Sequence, residues 1–173
     1  EGFLDRDINL DTNWDDVFAH TTPSIKWVAL HASNVCNLAC RGCYSLLSTK
    51  WRKDEEQLGI NPYPLQNAKL HEFGFNFDDI DFVTMYGGEP FYMKQNNELT
   101  NTIESDPNIK NKILQYFTNG MILPSAQTFA IWRRIRQLQL IISIDSYDTE
   151  NDYFRHGSKW SVLEQNLQLY IKE

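Results

Sequence analysis

Four short apolar runs, each halted by a glycine or a small polar residue, constrain this chain more than any other feature. Residues 25–31 (IKWVALH), 81–86 (DFVTMY), 112–118 (KILQYFT) and 140–144 (LIISI) are rich in β-branched and aromatic side chains and read as strands. The second run stops at Gly87-Gly88, the third at Asn119-Gly120 and the fourth at Asp145-Ser146. Helical patterns fill the intervals. Ser125 is placed to cap a helix reaching about Leu138, with Phe129, Trp132 and Ile135 on one face. Ser161 and Glu164 form a capping box ahead of residues 162–171, whose apolar side carries Leu163, Leu167 and Tyr170. A shorter helix is expected over Lys94–Glu104. The last three strands begin about 30 residues apart, which suits strand–helix–strand units and a parallel sheet. The fold class expected is α/β, with about four strand–helix units.

Domain organisation follows from what departs from this rhythm. Residues 1–24 are acidic and read as an N-terminal extension, with a short helix near residues 14–19. Residues 25–173 form the core domain, interrupted at 44–80 by an insertion that holds Gly59, Pro62, Pro64 and Gly74. The chain starts at Glu1 and stops at Glu173 inside a helical pattern, so a fragment of a longer protein is expected, and a targeting segment ahead of it stays open. No apolar stretch approaches the roughly 18–20 residues that cross a bilayer, and no secretory signal is visible. The net charge of −7 argues against a nucleic-acid partner. Arg133, Arg134 and Arg136 read as a solvated helix face rather than a phosphate-binding patch.

All three cysteines lie in C36-N-L-A-C40-R-G-C43, directly after the first strand. An odd number packed this closely is no disulfide framework, and points to a metal or cluster site in a reducing, cytoplasmic compartment. Thiolates suit zinc or iron–sulfur clusters. Zinc in a structural site takes four ligands, and His31 or His71 would have to join the cysteines; both histidines also have ordinary strand-end and surface readings. A cluster held by three cysteines leaves one iron without a protein ligand, free to bind a substrate.

The spacing C-x3-C-x2-C after a first strand, together with Gly87-Gly88-Glu89-Pro90 after the second, resembles the radical S-adenosylmethionine (SAM) superfamily and its GGEP motif. That resemblance implies a partial (β/α) barrel, with four of six strand–helix units spanned here and the resemblance covering most of residues 25–172. It implies a [4Fe–4S] cluster on Cys36, Cys40 and Cys43, and SAM bound at the open iron. Reductive cleavage of SAM would then give a 5′-deoxyadenosyl radical that takes hydrogen from a peptide or small-metabolite substrate. The electron would come from an external flavodoxin- or ferredoxin-like donor, and no membrane partner is implied. Site roles follow by position. Glu89 resembles the acidic residue that accepts a hydrogen bond from the SAM amino group, and Gly87 and Gly88 let the ligand approach. Ser143 and Asp145 resemble the polar positions that contact ribose or carboxylate. Asn119 would line the pocket, and Arg155 would pair with the SAM carboxylate. Asn119-Gly120 also reads as a plain turn, Asp145 as a cap and Arg155 as a surface residue. The string Ser48-Thr49-Lys50-Trp51, continuing to Gln57-Leu58-Gly59, is similar to twitch-type members related to the SPASM group. One departure is Gly42, where many members carry an aromatic residue. A glycyl-radical-enzyme activase shares the cysteine motif, and a non-catalytic zinc- or cluster-binding module is the reading outside catalysis.

Overall fold

The computed structural model describes residues 25–74 and 76–172, so the acidic extension and its expected helix lie outside the described residues. In chain order the elements are β1 (Trp27–Leu30), β2 (Ala39–Cys40), α1 (Arg52–Gln57), β3 (Phe82–Met85), α2 (Lys94–Glu104), β4 (Ile113–Thr118), α3 (Ala126–Trp132), β5 (Gln137–Ile142), α4 (Asp148–Phe154), β6 (Arg155–His156) and α5 (Trp160–Lys172). Four strands form one parallel sheet in the order β1-β3-β4-β5. The α/β class and the parallel pairing expected from the sequence are therefore present.

Alternation along each strand divides the sheet into two faces. One carries Val28, Leu30, Val83, Met85, Leu114 and Tyr116, which pack with Leu99 and Ile103 of α2, Ile131 and Trp132 of α3, and Tyr170 of α5. The opposite face carries Trp27, Ala29, Phe82, Thr84, Gln115, Phe117 and Gln139, which line an open groove of about 520 Å³. A hydrogen-bond chain crosses it. Trp27 Nε1 donates to Thr84 Oγ1 (3.0 Å), Thr84 to Gln115 Oε1 (3.1 Å), and Gln115 Nε2 to Gln139 Oε1 (2.7 Å).

Two boundaries differ from the sequence reading. The helix capped by Ser125 ends at Trp132 rather than near Leu138, and β5 begins at Gln137. The Arg136 N–H is already donated to the Lys112 carbonyl, so the chain leaves the helix to join the edge of β4. Gln137 and Gln139 then alternate with Leu138 and Leu140, a period of two that the polar residues disguise. The capping box expected at Ser161 is also replaced. Helix α5 begins at Trp160, whose N–H donates to Asp152 Oδ2 of α4 at 3.0 Å.

The insertion at 44–80 is a short helix, three turns of 3-10 helix and irregular chain, tied to the body by several side chains, of which Asn34 reaches it at three points. Asn34 is fully buried; its amide donates to the carbonyls of Ser45 (2.9 Å) and Pro64 (3.0 Å), and its oxygen accepts the Gln66 N–H (2.9 Å).

Candidate functional site

The site grows from the way β1 and β3 leave the sheet. Their pairing continues beyond the strands: Tyr86 N–H donates to Leu30 O (3.1 Å), Gly88 N–H to Ser33 O (3.0 Å) and Glu89 N–H to Val35 O (2.9 Å). This contact requires glycine. A Cβ on Gly88 would stand 2.0 Å from the Val35 carbonyl oxygen, and one on Gly87, at φ 117°, would stand 2.2 Å from the His31 ring. The two glycines, expected to admit a ligand, also hold the end of β3 close against residues 31–35, the chain that leads from β1 into the cysteine loop.

Cys36, Cys40 and Cys43 wall one cavity of about 200 Å³ together with Gly87, Gly88, Glu89, Asn119, Ser143 and Arg155. Nine of the ten residues expected at the site thus meet at one place. Asp145, the tenth, stands behind the wall, its Oδ2 3.0 Å from Arg155 Nε. The carboxyl ends of β1, β3, β4 and β5 all deliver residues to this rim, as parallel α/β folds do for their ligands.

Glu89 is fully buried and ties the second and third strand ends together. Oε1 accepts the Thr118 hydroxyl (2.7 Å) and the Phe91 N–H (3.2 Å), and Oε2 accepts the Asn119 N–H (2.8 Å). Burial pushes its carboxyl above the ordinary range, against the pull of those three donors. Asn119 Nδ2 reaches Asn37 Oδ1 (2.8 Å) and faces Cys36 Sγ (3.8 Å).

The three thiols are not equivalent. Burial pushes Cys36 up, partly offset by the Leu38 N–H. Cys40 is pushed up strongly, first by its hydrogen bond to Cys43 and then by burial. The same bond, with the nearby Arg155 charge, brings Cys43 down to about 7. Cys43 is the thiol most readily ionised, and thiolate is the ligating form.

Several residues to which the sequence reading gave no place in the site complete it. Leu47 and Phe117 line the cavity, Thr118 holds Glu89, and Trp51 Nε1 donates to the Cys40 carbonyl at 3.0 Å. A two-residue antiparallel ribbon pairs Ala39 with His156 and Cys40 with Arg155, so β6 clamps the cysteine loop from far along the chain. The one sequence signal at Thr118 is its place at a strand end, which does not distinguish it from other strand-end residues. Nothing local announces the ribbon.

His31 lies under Gly87 and stacks on Tyr86 with ring centroids 5.2 Å apart, and His71 is exposed; neither lines the cavity. Tyr44 packs edge-on to Tyr63, away from the cavity, and a Cβ on Gly42 would meet nothing within 4 Å. Among the described residues, no group of three or more His, Cys, Asp or Glu side chains is gathered closely enough to hold a single metal ion. A cluster makes a different demand, since each thiolate meets its own iron. Three cysteines lining one cavity, in a chain with no fourth thiol, fit that donor set.

Comparison with known proteins returns no match: no protein-family model matches the sequence, and no curated protein and no solved structure matches the chain.

Proposed function

We propose that this chain carries the core of a radical SAM enzyme, with a [4Fe–4S] cluster on Cys36, Cys40 and Cys43. The observation that carries this reading is the single cavity walled by all three cysteines and by Gly87, Gly88, Glu89, Asn119, Ser143 and Arg155, drawn from sites as far apart in sequence as residues 36 and 155. Cluster and SAM together supply reductive cleavage of the S–C5′ bond and the 5′-deoxyadenosyl radical that takes a hydrogen atom from substrate. The barrel form of the sheet belongs to the same proposal, as do an external electron donor and a peptide or small-metabolite substrate.

The chain's own residues supply position. Cys43 offers the first thiolate, and Asn119 and the Leu38 N–H point donors at Cys36. Glu89 presents a carboxylate whose Oε2 accepts one N–H from Asn119 and keeps a lone pair for an ammonium group. Arg155 uses Nε and Nη1 within the site, and its remaining N–H groups suit a carboxylate. Ser143 adds a hydroxyl on the same rim.

Anaerobic reconstitution with iron and sulfide, followed by EPR of the dithionite-reduced protein with and without SAM, tests the reading. A [4Fe–4S]⁺ signal that changes when SAM is added is expected. A cluster indifferent to SAM would reduce the protein to a cluster carrier, and a protein that takes up zinc but no cluster would overturn the assignment.

A further inference from the structure

The resemblance implies a part for Arg155 as an anion partner for SAM, but its geometry in the site serves a second purpose. Its backbone is the register partner of Cys40 in the β2–β6 ribbon. Its Nη1 donates to Cys40 Sγ at 3.8 Å, and its Nε stands 3.0 Å from Asp145 Oδ2. The side chain is only 15% exposed, so the charge is held out of bulk water.

The ribbon is itself braced. The Arg41 N–H donates to Phe154 O (2.7 Å), Arg41 Nε donates to Tyr153 O (2.9 Å), and the Arg41 guanidinium lies 3.9 Å over the Tyr153 ring. Asn151, fully buried, accepts the Asp145 N–H at 3.1 Å and so holds the carboxylate end of the pair. One cation is therefore fixed against one ligand sulfur, with one anion fixed behind it.

We propose that Arg155 sets the reduction potential of the cluster through Cys40, with Asp145 opposing it. This rests on the cluster reading above. The relevant step is the gain of one electron by the cluster, from dithionite, which is oxidised; no bond forms or breaks. The reduced cluster carries one more negative charge. A neighbouring cation and an N–H donor to the ligand sulfur both favour that state and raise the potential. The Asp145 carboxylate disfavours it, less strongly, because it is half exposed to solvent.

The test is a mediated potentiometric titration of the reconstituted protein, read by EPR, in the absence of SAM so that Asp145 is the carboxylate that engages Arg155. Arg155→Gln is expected to lower the ratio of reduced to oxidised cluster at least tenfold at any fixed potential, a midpoint shift of about 59 mV to more negative values for a one-electron couple. Arg155→Lys keeps the charge but not the forked geometry and moves the midpoint less, in the same direction. Asp145→Asn moves it the opposite way. A purely structural role for the pair predicts no such opposition of sign.

An Arg155→Gln midpoint that leaves the ratio within threefold of the parent overturns the inference, as does an Asp145→Asn shift in the same direction as Arg155→Gln. Should Arg155→Gln fail to hold a full complement of iron, Asp145→Asn and Arg155→Lys decide by their opposed signs. A parent that assembles no cluster sinks the functional reading and this inference together; a parent with a SAM-responsive cluster and unmoved midpoints sinks this inference alone.

Discussion

Gly88 and Glu89 sit side by side yet respond to opposite physical demands. Gly88 has no room: a methyl group there meets the backbone of Asn34 and Val35, which cannot rotate away as a side chain end would. Gly88→Ala is expected to cost about 1–3 kcal/mol in urea unfolding and to lower the iron retained after reconstitution, because relief comes only by displacing the cysteine loop. Unchanged iron content would show that the loop holds its place without this contact. Glu89 has no water. Burial raises its carboxyl pKa above the unfolded value, so the folded protein binds the proton more tightly, and this group's contribution to stability falls as pH rises from the ordinary value of 4.5 toward neutral. Glu89→Gln removes that titration. The stability of the parent minus that of Glu89→Gln is therefore expected to shrink as pH rises across this range; a difference that grows would mean that the three donors outweigh burial. At this scale the sequence was legible where chemistry is rare, in three clustered cysteines and a Gly-Gly-Glu-Pro string. Thr118 and Asn34 were not legible, since serine-like and amide residues are common and their importance arises from partners 11 to 32 positions away.

Elements were legible where period and burial agree. The runs behind β3 and β4 stand nearly as the pattern suggested, whereas β5 starts earlier because its first residues alternate glutamine with leucine across a half-open face. The start of α5 shows a local signal overridden by a distant one. Ser161 and Glu164 satisfy the capping-box pattern, but the Asp152 carboxylate accepts both the Trp160 N–H and the Ser158 hydroxyl, at 3.0 and 2.7 Å, and the helix begins before Ser161 can cap it. Asp152→Ala is expected to lower stability by about 1 kcal/mol, the usual loss for an N-terminal capping group. Ser161→Ala, at an exposed position, is expected to stay within about 0.5 kcal/mol of the parent. Urea denaturation of both variants settles the matter: the reverse ranking would return the cap to Ser161. Because α4 also feeds the β6 ribbon, Asp152→Ala further tests whether the clamp on Cys40 depends on how tightly α4 and α5 are joined.

At the scale of the molecule, the two ends of the sheet do different work. The carboxyl ends gather the cysteines and their companions, while the opposite end holds a buried ionic staple that has no part in the site. Lys112, just before β4, is 1% exposed, and its ammonium group lies 2.7 Å from the Asp106 carboxylate. The same group donates to the carbonyls of Phe77 and Ile80, and so anchors the end of the insertion and the start of β3 to the sheet. Six residues of β4, roughly 20 Å at the rise of an extended chain, separate this point from Thr118 and the cavity. Removing one partner of such a pair leaves an uncompensated buried charge, which costs far more than the intact pair contributes. Lys112→Ala is therefore expected to lose about 3–5 kcal/mol. The double variant Lys112→Met with Asp106→Leu is expected to recover part of that loss, because the stranded carboxylate goes with its partner. In whatever fraction remains folded, the EPR signal of the reconstituted cluster and its response to SAM should match the parent. A changed signal in folded Lys112→Ala protein would mean that strain at the amino end of the sheet is transmitted along β4 to Glu89 through Thr118 and Asn119, and that the staple belongs to the site after all.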